Sequence, residues 1–599
     1  MTGPTEPTAP PTDGPAPEPA ADETTDPPVE PGVEPGPASD DASGGRARSL
    51  LGSSAVMAAG TIVSRLSGFV RGILLAAALG VGLHADVFNI ANTVPNMLYI
   101  LLAGGVVNAV LVPQLVRSMK NDADGGEAFA NRIMTLAALF LGVVTVLLVI
   151  GAPLLMRLFL DHEFYSPERA EQLASVVAFA RYCLPQVFFY GMFVLVGQVL
   201  NSRGRFGPMM WAPIANNVVS VVVLTAYLVW IGPARGGETQ GGFGSGAELL
   251  LGVGSTVGIA VQLLVLVPYL RSAGFRVRPR FDFRGAGLGH TLRLGIWTVL
   301  FVVVNQIAYT VVVRLASRGT VSGPHGPHGP GSEGTGYTVY SNSYLLTMVP
   351  HSIVTVSLAT AMLPLLSRHA ADADLRAIGR AVSSTLRSAY ALVVPAALLF
   401  SLMSLDLAHV IWGYGAAARD YGNFAPTLAL FGIGLVLFTA HYLLLRGFYA
   451  LEQTRRVFLI QCGIAATNIV AALVLTHGAS PADTAPRLTM AYACSYAVGA
   501  VTSYVVLSRT VGGLDGARLG RFAVRLLLVA AVTGAVGLGA REVVHAVVPG
   551  RGTLTAVVDL GVVGVVFLAT YLVLARALRL TEVSEVTSVV TRRLRGRTR

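Results

Sequence analysis

The sequence predicts an all-α polytopic membrane protein, and three observations lead to this fold class. Charged residues make up only 13% of the 599 residues, and the mean hydropathy is +0.63, whereas a soluble protein of this length would carry roughly a quarter charged residues. The apolar residues come in runs of about 20, the length that spans a bilayer as a helix. Basic connections alternate with neutral or mixed ones, as expected for loops on opposite sides of a membrane.

We count fourteen candidate transmembrane helices after residue 50. Their approximate limits are 53–80, 86–113, 130–158, 171–200, 208–231, 248–270, 289–316, 337–366, 380–405, 424–450, 456–476, 486–508, 521–546 and 555–578. The basic connections and the basic C-terminal end all fall on one side of the membrane, which requires an even number of spans. Because basic loops stay inside, we predict a multi-pass protein of the cell membrane with both termini cytoplasmic.

The two ends of the chain differ in composition from the spans. Residues 1–48 carry ten acidic residues and no cation before Arg46, and they are rich in proline. Such a segment has too little apolar surface to offset its ordering entropy, so we predict a disordered cytoplasmic tail. Residues 581–599, which end in TRRLRGRTR, are predicted to form a basic cytoplasmic tail.

A short internal repeat predicts two halves. The pattern Pro-x-Leu-x-Arg occurs at 113–117 and again at 364–368, six spans apart, at the same end of the second and the eighth span. Repeated halves with a central site are a common transporter design. We therefore divide the body of the chain into an N-terminal six-helix lobe at 49–284, a C-terminal six-helix lobe at 285–510, and two additional helices at 511–580.

Several functional classes are excluded or disfavoured. The single lysine, Lys120, follows Met119, so the chain lacks the Gly-Lys pair of a P-loop ATPase. No nucleophile–base pair and no set of metal ligands stands out, so we predict no enzyme activity, no cofactor and no metal site. The alternative of weak metal binding by His325 and His328 in the loop GPHGPHGPG is less favoured than a flexible connector. No nucleic-acid partner is expected.

Two arginines inside the first span are the main functional signal. Arg65 and Arg71 lie about 18 Å and 27 Å into that span at 1.5 Å per residue. An arginine at the centre of a span costs about 2.5–3.5 kcal/mol on insertion scales. The acids inside spans lie near span ends, so Arg65 has no obvious deep partner. Because guanidinium groups bind phosphate bidentately, the pair predicts an anionic substrate in a wet cavity.

Asparagines and glutamine also occur at span depth. Most of them are expected to make hydrogen bonds between helices, worth about 0.6 kcal/mol each. A smaller share is expected to touch substrate. The residues are Asn89, Asn92, Asn96, Asn108, Asn216, Asn217, Asn305 and Gln306.

Segment 58–98, AAGTIVSRLSGFVRGILLAAALGVGLHADVFNIANTVPNML, resembles the opening of the MurJ/MviN family, the lipid II flippases of the MOP exporter superfamily. Its Ser-Arg-x-x-Gly-Phe-x-Arg core is followed by Ala-Asp, Pro-Asn and Val-Pro at the expected distances. NSRGRFGPMMWAPIANN at 201–217 and VSLATAMLPLLSR at 356–368 also match. Alanine-rich composition and the near absence of lysine suggest an actinobacterial-type member.

The resemblance implies two six-helix lobes around a central cationic cavity, with two C-terminal helices that hold a lipid tail. The implied activity is to flip the undecaprenyl-diphosphate-linked peptidoglycan precursor, lipid II, from the inner to the outer leaflet by alternating access for cell-wall synthesis. Membrane lipids and cell-wall synthesis proteins are the other expected partners. The substrate-binding residues we predict are Arg65, Arg71, Ser64, Gly68, Asp86, Asn92 and Asn108.

The sequence departs from the family at several cavity positions. Tyr99 and Ile100 stand where an arginine pair is common, Gly104 and Gly72 where acids are common, and Leu345 at an arginine position. Either two arginines suffice, with help from Arg181 or Arg314, or the substrate differs. The alternatives are therefore an exporter of another polyprenyl-linked saccharide, an ion-coupled drug antiporter, which the scarce acids disfavour, and a transport-inactive scaffold of the cell-wall machinery.

Overall fold

The computed structural model of the protein describes residues 60, 63–101, 118, 124, 126–234, 242–282, 288–321, 334–548, 550 and 552–583. Every regular element in these ranges is helical. The acidic N-terminal segment, the histidine loop at 323–331, Asn108 and the basic C-terminal end lie outside the described residues.

The helices follow the apolar runs of the sequence closely. In chain order they are α1 (63–79), α2 (Leu83–Ile100), α3 (Glu127–Ile150), α4 (Ala152–Phe159), α5 (Ala170–Cys183), α6 (Gln186–Ser202), α7 (Gly207–Trp230), α8 (Ser245–Leu264), α9 (Leu266–Ser272), α10 (Leu288–Val321), α11 (Tyr337–Pro350), α12 (Val356–Ala371), α13 (Leu375–Leu402), α14 (Ser404–Trp412), α15 (Phe424–Ala450), α16 (Thr454–Thr476), α17 (Thr484–Val511), α18 (Gly516–Val547) and α19 (Thr553–Ala577).

Twelve helical segments of the described residues are long and apolar enough to cross a membrane. They correspond one by one to the third through fourteenth predicted spans, so the all-helical, polytopic fold class is confirmed. Helices α1 and α2 occupy the first two predicted spans, which are described only in part. The exact number of fourteen therefore stays a prediction.

Two prolines stand at breaks in the helices. The fourth span is interrupted between α5 and α6, where Pro185 supplies no N–H to the helical ladder. The eighth span changes from α11 to a π-helical turn, His351–Thr355, directly after Pro350. By contrast, Pro95 and Pro213 lie inside α2 and α7, which continue past them.

The helices are described here in two sets that follow the two halves predicted from the sequence. In the first helix set, α1–α9, α2 packs on α5, α5 on α8, and α7 on α8. In the second helix set, α10–α17, α15 packs on α17 and α13, and α16 packs on α17 and α10. One large core of buried apolar side chains has members from both sets, among them Leu83, Phe179, Val313 and Phe431.

The last two helices attach to the second helix set. Helix α18 packs along α19 and α13, while α19 also contacts α14. The residues that follow α19 are attached to α13 by Glu582, whose carboxylate lies 2.9 Å from a guanidinium nitrogen of Arg387 in that helix. Both side chains of this ion pair are about nine-tenths buried.

Candidate functional site

The two helix sets meet at a hydrogen-bonded junction around Asp86 of α2. This side chain is fully buried, and its carboxylate accepts hydrogen bonds from the Thr320 hydroxyl at 2.8 Å and from the backbone N–H groups of Tyr337 at 2.9 Å and Thr338 at 2.6 Å. Tyr337 and Thr338 open α11, so a carboxylate from one set caps the N-terminus of a helix in the other.

Further contacts extend this junction along α2. The side-chain amide of Asn89 donates to the Thr338 hydroxyl at 2.9 Å, and the Thr93 hydroxyl donates to the Tyr337 hydroxyl at 2.6 Å. At the same end of the molecule, the chain segment after α14 meets α1, where Gly415, at a φ of +59°, packs directly on the backbone of Ala77. A side chain larger than hydrogen at position 415 would collide with that backbone.

The deepest hydrogen bond of the junction joins the Gln306 amide of α10 to the backbone oxygen of Met97 in α2 at 3.0 Å. Met97 lies fourteen residues after Leu83, which is about 21 Å along the helix. The other hydrogen bonds and ion pairs identified between the two helix sets lie nearer the N-terminus of α11 than this one. These identified bonds therefore hold the two sets together from the N-terminus of α11 to the level of Met97.

Arg65 lies at about the level of the Gln306–Met97 hydrogen bond. It is fifteen residues before Gly80, which directly follows α1, and this separation corresponds to about 22 Å along the helix. Its side chain is exposed, and none of the ion pairs formed by the described residues includes it.

The neighbours of Arg65 on α1 contact α7 rather than the junction. The backbone oxygen of Ser64 accepts a hydrogen bond from the Asn217 amide at 3.0 Å, and the same amide donates to Ser67 at 2.9 Å. Gly68 stands opposite Asn217, which a Cβ at this position would meet at an ordinary contact distance of 3.5 Å. Ser64 and Gly68 thus help to fix α1 on α7, with Arg65 on a neighbouring exposed face.

Arg71 lies about 13 Å from the end of α1, closer to the junction than Arg65. It is half-buried, lacks an ion-pair partner among the described residues, and lies within electrostatic range of the Tyr190 hydroxyl in α6. Tyr190 in turn contacts Tyr99 of α2, with ring centroids 4.8 Å apart. Tyr99 therefore belongs to an aromatic pair whose other member, Tyr190, lies within electrostatic range of Arg71.

Two of the predicted site residues make structural contacts instead. Asn92 accepts a hydrogen bond from the Gln186 amide at 3.0 Å, which joins α2 to α6 inside the first helix set. Asp86 is held in the junction, away from both arginines, so the structure gives this carboxylate a capping role in this conformation. The structure does not bring Asp86 and Asn92 together with Arg65 and Arg71, and the predicted substrate role of these residues stays a prediction.

Sequence reasoning missed one further cation, Arg446 of α15. Its guanidinium stacks over the Tyr442 ring at 4.3 Å and lies 5.7 Å from the Tyr449 ring centroid. The buried Nε has no hydrogen-bond partner, and the described residues supply no carboxylate to this group. A cation so near the basic end of its span resembles an ordinary positive-inside anchor in the sequence, and only the fold reveals its stacked position.

The comparison with known proteins agrees with this arrangement. A sequence profile described as lipid II flippase MurJ matches residues 75–557. The chain belongs to the MurJ family. This is a family of flippases, and a flippase is a transporter.

Curated relatives carry the same description. The chain is 25% identical over 411 residues to the probable lipid II flippase MurJ of Haemophilus influenzae, covering 66% of this chain and 75% of that protein. It is 27% identical over 480 residues to the probable lipid II flippase MurJ of Rhizobium tropici, covering 80% and 84%. It is also 27% identical over 414 residues to the lipid II flippase MurJ of Burkholderia cenocepacia, covering 67% and 74%.

Solved structures share the fold. A lipid II flippase MurJ in an inward closed conformation superposes with a TM-score of 0.64 at 15% identity, covering 87% of this chain and 99% of that one. A multidrug resistance MATE family transporter of the MOP superfamily in an inward-facing conformation gives a TM-score of 0.58 at 14% identity, covering 76% and 96%.

Proposed function

We propose that the protein flips lipid II, the undecaprenyl-diphosphate-linked peptidoglycan precursor, from the inner to the outer leaflet of the cytoplasmic membrane. The observation that carries the proposal is Arg65, an exposed cation of the first span that forms no ion pair with the described residues and lies at about the level of the Gln306–Met97 hydrogen bond. A diphosphate is an anion that two guanidinium groups can bind bidentately. Membership of the MurJ family supports lipid II as the carrier of that diphosphate.

The mechanism we propose is alternating access between two six-helix lobes, the first and second helix sets. The connections at the junction end are those expected outside the cell from the distribution of arginine, which supports assigning this conformation to a state closed toward the exterior. In this state the diphosphate reaches Arg65 from the cytoplasmic side while the lipid tail stays in the bilayer. Because the chain lacks a P-loop, the membrane potential or an ion gradient drives the return.

Arg71 and Arg446 contribute charge on either side of this site. Arg71 belongs to α1 like Arg65, whereas Arg446 belongs to the second helix set and therefore moves with the opposite lobe. A cation on each lobe lets one diphosphate interact with both lobes as they close. This arrangement compensates for the family arginines that Tyr99 and Leu345 replace.

The test is flipping of fluorescent lipid II in liposomes that contain the purified protein. We expect Arg65→Ala to lower the initial rate by about tenfold or more, since a charged hydrogen bond contributes about 1.5–3 kcal/mol. Arg65→Lys keeps the charge but not the bidentate geometry, so its rate should be intermediate. Arg446→Gln should also lower the rate. Arg271→Ala, which removes an exposed arginine of a basic connection, is the matched control.

Equal rates for wild type and Arg65→Ala would contradict the site, and absence of lipid II flipping by the wild type would contradict the function. Tyr99 and Leu345, which stand where the family resemblance implies arginines, favour a second candidate, transport of another polyprenyl-linked saccharide. The same liposomes loaded with a labelled polyprenyl diphosphate that carries a different sugar separate the two substrates. A chain that moves neither substrate, yet folds normally, would fit a scaffold of the cell-wall machinery.

A further inference from the structure

Three ionisable side chains from distant parts of the sequence converge at the attachment of the last two helices. Asp406 lies in the short helix α14, which connects two spans. His545 lies in the last turn of α18, and Asp559 lies in the second turn of α19. We call these three residues the α14–α18–α19 cluster. The sequence predicts no metal site, because Asp406 is more than a hundred residues from the other two.

The geometry of this cluster is that of a ligand set. The Nε2 atom of His545 lies 2.8 Å from Oδ2 of Asp559. One ligand atom from each of the three residues lies within 4.8 Å of the other two. In a tetrahedral site with bonds of about 2.0–2.1 Å, ligand atoms lie about 3.3 Å apart, so small side-chain rotations suffice to close the set.

Burial leaves one carboxylate oxygen of the cluster without a donor. The Asp559 side chain is 1% exposed and that of Asp406 is 9% exposed. Oδ1 of Asp559 is buried and has no hydrogen-bond partner, whereas Oδ2 of Asp406 has an ion-pair contact with Arg541 but no well-formed hydrogen bond. A buried carboxylate oxygen without a donor is costly, and coordination of a cation removes that cost.

The net charge of the cluster and its surroundings favours binding of a cation. The only other charged contact of the cluster among the described residues is Arg541, whose guanidinium nitrogen lies 3.3 Å from Oδ2 of Asp406. Two carboxylates and one guanidinium leave one negative charge when the imidazole is neutral.

We propose that Asp406, His545 and Asp559 form a binding site for a divalent transition-metal cation of the zinc class. One imidazole nitrogen and two carboxylate oxygens with an open fourth position are a ligand set that zinc accepts. Calcium and magnesium prefer six or more oxygen ligands and are disfavoured by this set. The bound ion ties α18 and α19 to α14, and so holds the last two helices on the second helix set at the junction end.

The test is a zinc titration of the full chain, purified without a histidine tag, stripped of metal and held in lipid nanodiscs. We expect one zinc per chain by calorimetry and by elemental analysis after desalting. His545→Gln, a half-exposed position, and Asp559→Asn should each weaken binding by about tenfold or more. Magnesium should not compete.

Two further variants distinguish zinc binding at the cluster from a plain ion-pair network and from zinc binding by the histidine loop. Arg541→Gln removes the competing cation, so zinc should bind at least as tightly as in the wild type, whereas a plain ion-pair network would only lose stability. A double variant of His325 and His328, the histidines of the loop GPHGPHGPG, should keep the site. Absence of stoichiometric zinc in the wild type, full binding by His545→Gln, or loss of binding in the double loop variant would each overturn the proposal.

Discussion

Replacing Asp86 by asparagine should open the junction between the two helix sets. The carboxylate accepts three hydrogen bonds in a fully buried position, two of them from the first N–H groups of α11. A hydrogen bond to a charged group contributes about 1.5–3 kcal/mol. Asparagine keeps one acceptor oxygen but turns an NH₂ group toward a donor. Because the mutant also avoids the cost of burying a charge, we expect a net loss of about 3 kcal/mol.

A loss of that size changes the ratio of open to closed molecules by about 100-fold, since each 1.4 kcal/mol is tenfold. The change can be measured with a single cysteine at Thr93, which is buried against Tyr337 in the closed junction. In a variant without the three native cysteines, we would record the rate at which a maleimide labels Thr93→Cys in purified protein. Asp86→Asn should raise this rate by at least about tenfold.

The matched control is Asp483→Asn, an exposed aspartate at the same end of the molecule. It should leave the labelling rate unchanged. An unchanged rate in Asp86→Asn, with the control also unchanged, would refute the role of the cap in closing the junction. An equal rise in both variants would mean that a general loss of stability, rather than the cap, exposes the cysteine.

Gly336→Ala should also open the junction, because a Cβ at position 336 would collide with the Asp86 carboxylate and displace it from the α11 N-terminus. Maleimide labelling of Thr93→Cys should therefore be faster in this variant, and a rate equal to that of the protein with Gly336 would contradict the prediction. Glu582→Gln should lower thermal stability, since removing one partner of a buried ion pair with Arg387 costs about 3–5 kcal/mol. A melting temperature equal to wild type would show that this pair does not fasten the end of α19.

The spans were predictable because they depend on local composition. An apolar run of about 20 residues can satisfy its backbone in a bilayer only as a helix, wherever its neighbours lie. The same reasoning made Arg65 conspicuous, since a cation deep in such a run is costly whatever surrounds it. Family membership was also predictable, because the motif at 64–71 is local.

The partners of the buried polar groups were not predictable. Asp86 stands in the sequence as an acid near a span end. Its donors are the Thr320 hydroxyl and two backbone N–H groups about 250 residues away, and no side-chain pattern marks them. The hydrogen bond between Asn92 and Gln186 likewise joins residues that are far apart in the sequence and meet only in the folded chain. Asp406 and Asp559 each looked like interfacial acids by themselves, and their meeting with His545 depends on how three helices pack.

The π-helical turn His351–Thr355 divides the eighth span into two helices. The helix before it, α11, is held at Asp86 through Tyr337 and Thr338, whereas α12 extends for 16 residues, or about 24 Å, away from the junction. Pivoting α12 by about 20° at the π-helical turn would move the C-terminal end of α12 by about 8 Å. This movement of α12 would open a gap between helices wide enough for a sugar headgroup, while the hydrogen bonds at the opposite side of the membrane stay intact.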